Sequence, residues 1–171
     1  SGQASNYSIA SASSNITQRP INLSGSRAYD STRTASGSDL SFTNIVSGET
    51  LGLTGSGVLD SPAAGTRTIV NTNTLAISDG SGIATNYTLT NGTLTMTIVP
   101  RSTTVSGTKT YDGTTNVASS NLTSFSNLAG SDTLSLSGTG TISSADVGTG
   151  KTVNTSGLTI DNSSGVGSNY T

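Results

Sequence analysis

The 171-residue chain contains no cysteine, no histidine and no tryptophan. Without cysteine there is no disulfide to staple the fold, no thiol nucleophile and no thiolate metal site. Without histidine the commonest general base is missing, and the many serines have no partner base marked by spacing. Ser–Lys chemistry would need Lys109 or Lys151, whereas the first half of the chain carries no lysine at all. The chain is therefore expected not to be an enzyme. Charge is scarce too: seven Lys plus Arg stand against nine Asp plus Glu, with pI near 4.7. That balance leaves no basic surface for nucleic acid. No apolar run reaches bilayer-spanning length and no signal peptide is visible, so membrane insertion is not expected and any export signal lies elsewhere.

What fills the chain instead is Ser, Thr, Asn and Gly. Hydrophobic residues make up only 30%, but a disordered segment would usually add high charge or abundant Pro, Glu and Lys. Only three prolines occur and the net charge is −2. Thr and Val suit pleated, half-buried surfaces, and Gly and Asn suit the turns between them. No segment places apolar residues at helical spacing over three turns. The expected fold is all-β, with tandem small antiparallel β domains in an elongated rod and almost no helix.

The tandem organisation is written in two markers. Asn-Tyr recurs at Asn6-Tyr7, Asn86-Tyr87 and Asn169-Tyr170, and Tyr29-Asp30-Ser31-Thr32 recurs as Tyr111-Asp112-Gly113-Thr114. Both return after about eighty residues, too long a period for the coils of a β-solenoid. Aligned on these markers, Leu23-Ser24-Gly25 faces Val105-Ser106-Gly107, Arg27 faces Lys109, Leu40 faces Leu122, and Phe42 faces Phe125. Glu49-Thr50-Leu51 faces Asp132-Thr133-Leu134, Ile69 faces Val153, and Leu75 and Ile77 face Leu158 and Ile160. Apolar positions and glycines hold while polar ones drift. The expected borders are 1–19 for the terminal hairpin of a preceding repeat, 20–99 for a first full repeat and 100–171 for a second. Each repeat is near the lower limit for a core that folds alone, so neighbouring repeats are expected partners.

Tyr87–Ile98 reads as a hairpin, with Asn91-Gly92 as a type I′ turn, Leu89 opposite Leu94 and Tyr87 opposite Met96. The chain opens at Ser1 in the phase of residue 81 and closes at Thr171. The second repeat is thus expected to lack an equivalent of Leu89–Ile98, while Tyr7–Ile16 is that hairpin left over from a preceding repeat. Head-to-tail self-association is the expected consequence of such an open edge and orphan strand.

The markers have a scaffold reading and a chemical one. In Tyr-Asp-Gly-Thr the ring of Tyr29 or Tyr111 packs into a small core and its hydroxyl finds a partner, often a nearby backbone group. Asp30 or Asp112 opens a turn and Gly113 takes a left-handed conformation. Ser31 in place of that glycine predicts a strained or different turn in the first copy. The chemical reading makes Asp30 and Asp112 cation ligands, but no second carboxylate lies close in sequence. In the Asn-Tyr marker, Asn86 and Asn169 cap a loop as Tyr87 and Tyr170 re-enter the sheet. The rival role is glycosylation, since all three copies are acceptor sequons. Chance alone yields many sequons in so Asn-, Ser- and Thr-rich a chain. No catalytic, cofactor or metal residue is assigned.

Thr108-Lys109-Thr110-Tyr111-Asp112-Gly113-Thr114-Thr115, Leu128-Ala129-Gly130-Ser131-Asp132, Asp146–Val153, Gly157–Ile160 and Asn169-Tyr170-Thr171 together resemble the YDG repeat. This repeat is close to the MBG-type repeats of large bacterial surface and secreted adhesins, including filamentous-haemagglutinin-like proteins. The match covers both copies and is looser in the first, at Tyr29-Asp30-Ser31 and Ala64–Thr68. The resemblance implies a bacterial cell-surface or secreted location and small β domains, with a β-grasp-like fold as a candidate. The function expected is a structural stalk that projects a distal binding region for surface or biofilm adhesion. Its rival is weak, multivalent binding of host or matrix glycans by the repeats themselves.

Overall fold

The computed structural model describes residues 2–171. Apart from five three-residue 3₁₀ turns, the ordered elements among these residues are strands. The first copy contributes β1 (Arg19–Pro20), β2 (Leu23–Ala28), β3 (Thr34–Ser36), β4 (Leu40–Phe42), β5 (Leu51–Thr54), β6 (Ser56–Leu59), β7 (Gly65–Asn71), β8 (Ala76–Asp79), β9 (Tyr87–Thr88) and β10 (Thr95–Val99). The second contributes β11 (Thr104–Gly107), β12 (Asn116–Ala118), β13 (Leu122–Ser126), β14 (Leu134–Thr141) and β15 (Leu158–Asn162). The all-β expectation holds. No described helix is long and apolar enough to cross a membrane.

The first copy is organised by β10. Its alternating Met96 and Ile98, each 1% exposed, point into the core, while Thr95 and Thr97 occupy the other face. β10 sits inside a six-stranded sheet of order β3-β6-β7-β10-β2-β4. It runs antiparallel to β7, with Ile98 opposite Gly65, and parallel to β2, with Ile98 opposite Arg27. A second small ladder, β5–β8, packs Leu53 against the same core, beside Leu75 just ahead of β8. Most pairs are antiparallel as expected, but β10–β2 and β1–β9 are parallel.

Those parallel pairs explain why the Asn91-Gly92 hairpin is not formed. The two arms leave the turn and never pair with each other. The chain at Pro20–Leu23 inserts between them, with Ile21 N–H donating to Thr88 O and Leu23 N–H donating to Thr93 O, both at 2.9 Å. Ile21 and Leu23 are 0% and 1% exposed; burying both outweighs the local pairing of Leu89 with Leu94. A turn forms, but one residue earlier and of another type: Gly92 N–H donates to Leu89 O across Thr90 and Asn91, Asn91 stands at φ 62° and Gly92 is not left-handed, so the expected type I′ turn is not found. Gly92 serves a different need from the one expected, because a Cβ there would lie 1.8 Å from Ile21 O.

The second copy repeats the same pairings as far as its strands go. β11–β13 matches β2–β4, and β14 runs continuously through the positions of β5 and β6, pairing with β12 and β15. No counterpart of β10 is present among the described residues. The counterpart of β7 therefore has no central neighbour, and all that remains of the β6–β7 ladder is an isolated bridge, Thr141 to Asn154. The sheet falls into two pieces with a cleft of about 1050 Å³ between them. Residues 7–18 form no strand, and Tyr7, Ile9 and Ile16 are 76%, 88% and 98% exposed. The hairpin expected there has no sheet to lie on, and two strands alone are marginal in water. Openness shows in the total: 10389 Å² of accessible surface, against about 7,700 Å² for a compact chain of this mass.

Candidate functional site: the joint between the repeats

The sequence markers meet where the two copies touch. Tyr29, at the end of β2, leaves the first copy and packs edge-on against Tyr170 of the second, with centroids 5.4 Å apart and planes at 77°. Both hydroxyls converge on one carboxylate: Tyr29 O–H donates to Asp132 Oδ2 at 3.0 Å and Tyr170 O–H donates to the same oxygen at 2.6 Å. Ala129 N–H completes the arrangement by donating to the Tyr170 oxygen at 3.1 Å. Both rings are 5% exposed. An edge-to-face pair adds about 0.5–1.5 kcal/mol to its burial, and hydrogen bonds to a charged acceptor are the stronger kind.

Around this triad the backbone is tied across the joint. Ala64 N–H of the first copy donates to Asn169 Oδ1 at 2.8 Å, which leaves Asn169 only 3% exposed. Arg101 N–H donates to Asn169 O at 2.8 Å, and the Arg101 guanidinium spans both copies, reaching Tyr29 O at 3.3 Å and Asn127 O at 2.8 Å. The linker thus runs as a bonded element through the joint. A glycan on Asn169 is incompatible with this burial, whereas Asn86 is exposed.

The Tyr-Asp turn that supports Tyr29 is the same in both copies. Asp30 Oδ1 accepts from Thr32 N–H at 2.8 Å, and Asp112 Oδ1 accepts from Thr114 N–H at 2.9 Å. Ser31 and Gly113 adopt the same left-handed backbone, φ 65° and 75°, so of the two expected alternatives a different turn is not found and a strained one is, since Ser31 holds a Cβ in a conformation that favours glycine. Arg27 and Lys109 do one job: each pairs with its Asp and donates to the carbonyl of Thr32 or Thr114. The Lys109 ammonium, with the Thr114 donors, holds the Asp112 carboxyl down at about 2. Burial raises Asp30, but the Thr32 donors and Arg27 outweigh it and leave that carboxyl below its ordinary range. Both carboxylates are thus occupied by the turn they close.

Each half of the joint recurs, unmatched, on the other copy. Tyr87 donates to Glu49 as Tyr170 does to Asp132, and Val46 N–H donates to the Tyr87 oxygen at 3.2 Å as Ala129 does to Tyr170. Among the described residues no second tyrosine sits on this socket, and Val46 is 45% exposed where Ala129 is 3%. At the other end Tyr111, the counterpart of Tyr29, is 65% exposed. The expectation that every Tyr-Asp tyrosine packs into its own repeat is therefore corrected: the ring is a projection that a neighbouring repeat buries. Sequence reading missed Asp132 and Arg101 as joint residues. The one available signal was the pairing of Glu49 with Asp132, an acid kept beside drifting neighbours.

Burial pushes the Tyr170 hydroxyl up to about 12, reinforced by its bond to Asp132. Tyr29 is raised for the same two reasons. An unfolded tyrosine ionises near 10, so the stability these protonated hydroxyls contribute is complete below about pH 10 and is lost as pH rises through about 12. Denaturant midpoints are expected to be flat from neutral pH to about 10 and to fall steeply beyond it, with delayed phenolate absorbance for the buried rings. Ionisation of Tyr170 near pH 10 would contradict this geometry.

The YDG domain family matches this chain twice, over residues 14–96 and 93–171, the two matches sharing residues 93–96, which run into the first residues of β10. The chain belongs to the YDG domain family. No curated protein and no solved structure matches it.

Proposed function

We propose that these repeats are the extender modules of a bacterial extracellular adhesin, stacked to hold a distal binding region away from the cell surface. The observation that carries this reading is the convergence of Tyr29 and Tyr170 on Asp132. The most recognisable residues of the repeat are used to fix one repeat on the next. Their chemistry is spent on spacing and orientation, as a load-transmitting array needs. An extracellular location, at the surface or secreted, belongs to the same proposal, and the cysteine-free composition is compatible with it.

Small-angle scattering at low concentration tests the reading. The expected pair-distance distribution is skewed, with the long tail of two domains laid end to end. A symmetric, single-peaked distribution of a globule would sink the rod.

The exposed ring of Tyr111 favours one competing reading, binding of glycans by the repeats. Projecting aromatics are common sugar platforms, yet the matching Tyr29 is consumed by the joint. Reproducible glycan-array binding that Tyr111→Ala abolishes would turn the ranking round.

A further inference from the structure

We propose that the first repeat is a tension-bearing module, in which β2 and β10 form a clamp loaded in shear when the chain is pulled from both sides of the repeat. This role deepens the extender reading and rests on it for the direction of pull.

The clamp is made from the two ends of the repeat. The segment that enters at Arg19 and the segment that leaves at Pro100 lie side by side and run parallel. Arg19 and Pro20 stand opposite Tyr87 and Thr88, and Leu23 stands opposite Leu94. Ser26, Arg27 and Ala28 then stand opposite Thr97, Ile98 and Val99. Backbone bonds run from one end of this seam to the other. Ile21 N–H donates to Thr88 O, Leu23 N–H to Thr93 O and Tyr29 N–H to Val99 O, each at 2.9 Å. The turn at residues 89–92 bulges out of the leaving segment, and the seam resumes beyond it.

Direction decides what tension does to such a seam. Pulling draws the start of β2 backwards and the end of β10 forwards. Because the strands are parallel, the two pulls lie along the ladder in opposite senses, and its evenly spaced bonds share the load. They must then fail together, which raises the barrier that governs forced unfolding. Neither strand can be peeled away instead, because neither lies at an edge. In the order β3-β6-β7-β10-β2-β4, β10 is held on its far side by β7 and β2 by β4. Water, which competes for bonds as they stretch, is kept from the core face by Ile21, Leu23, Met96 and Ile98, each 0% or 1% exposed.

The load passes on at the joint. Pro100 follows β10 directly, and the Arg101 guanidinium reaches back to Tyr29 O at 3.3 Å, where the seam ends. The seam also sets the length of the module. Extended chain from Arg19 to Tyr29 spans about 3.3 nm, whereas the roughly eighty residues from Arg19 to Arg101 reach about 29 nm when drawn out.

Single-molecule force spectroscopy on the full chain, held by its two ends, tests the clamp. Unfolding of the first repeat should lengthen the chain by about 25 nm. That step is identified by Ser26→Cys with Thr97→Cys, which lie opposite each other on exposed positions in a chain free of native thiols. Oxidation should bridge them and remove the step, and reductant should restore it. Held instead at Ser47→Cys and Ile83→Cys, just outside the end of the antiparallel β5–β8 ladder where Leu51 faces Asp79, the same repeat should open at a severalfold lower force, because that ladder unzips pair by pair. Equal forces in the two directions would overturn the clamp. Failure of the disulfide to form would overturn it equally, since β2 and β10 would then not be neighbours. A weak clamp leaves the scattering of two domains laid end to end unchanged, whereas a globular scattering profile would remove the extender reading without altering the measured forces.

Discussion

Replacing Asp132 by alanine is expected to uncouple the two repeats while leaving each folded. The substitution removes the only acceptor of the Tyr29 hydroxyl and the acceptor of the Tyr170 hydroxyl, both on rings 5% exposed. A buried hydroxyl donor left without an acceptor costs about 1–3 kcal/mol; Tyr170 keeps Ala129 N–H on its oxygen but, like Tyr29, loses the acceptor of its own proton. Chemical denaturation should change from one shared transition to two, with the lower midpoint well below that of the native chain. Asp132→Asn keeps one acceptor oxygen and should restore part of the coupling. Glu49→Ala is the internal control, because its socket holds only Tyr87 and faces no second repeat. A single unchanged transition for Asp132→Ala would mean that the repeats do not communicate through this carboxylate.

A charge at Ile98 should convert the first repeat into the split form of the second. Ile98 is 1% exposed in the strand that joins β2 to β7. Truncating such a residue to alanine costs about 2–5 kcal/mol, and an unpaired carboxylate costs more, against a total of about 5–15 kcal/mol for a whole domain. Ile98→Asp should expel β10 and expose the amides of β7 to exchange, since the second copy holds only one bridge at the same place without such a strand. The β11–β13 ladder should keep its protection. Hydrogen exchange by mass spectrometry reads both outcomes. Native protection of residues 65–71 in the variant would show that β10 is not what holds the sheet together.

Much of the scaffold was legible from the chain alone because it is local or repeated. The alternation of Leu134-Ser135-Leu136 and of Leu158-Thr159-Ile160 predicts a strand at each place, and both are strands, which the fold pairs with Leu136 facing Ile160. Matching Leu23 with Val105, and Phe42 with Phe125, locates the same ladder twice, since each pair lies opposite in register. What escaped was decided by distant partners. The Asn91-Gly92 signal marks a turn but not its type or register, and Ile21 and Leu23, some seventy residues away, split its arms. Tyr29 looked like a core residue because its partner Asp132 lies 103 residues on, in a different repeat. Asp132 itself looked like one of several scattered acids. Period and phase show which positions are equivalent, but not that a residue in one repeat completes a site in the next.

The central claim is that the marker residues make two repeats one rigid body. Amide residual dipolar couplings of the chain in a weakly aligning medium, at concentrations where it is monomeric, test this most directly. A single alignment tensor should fit residues 20–99 and 100–171 together, and the fit should separate into two tensors in Asp132→Ala. Two independent tensors in the native chain would show that the repeats move freely about Pro100, and the Tyr29–Asp132–Tyr170 joint would then not be the device that sets their orientation.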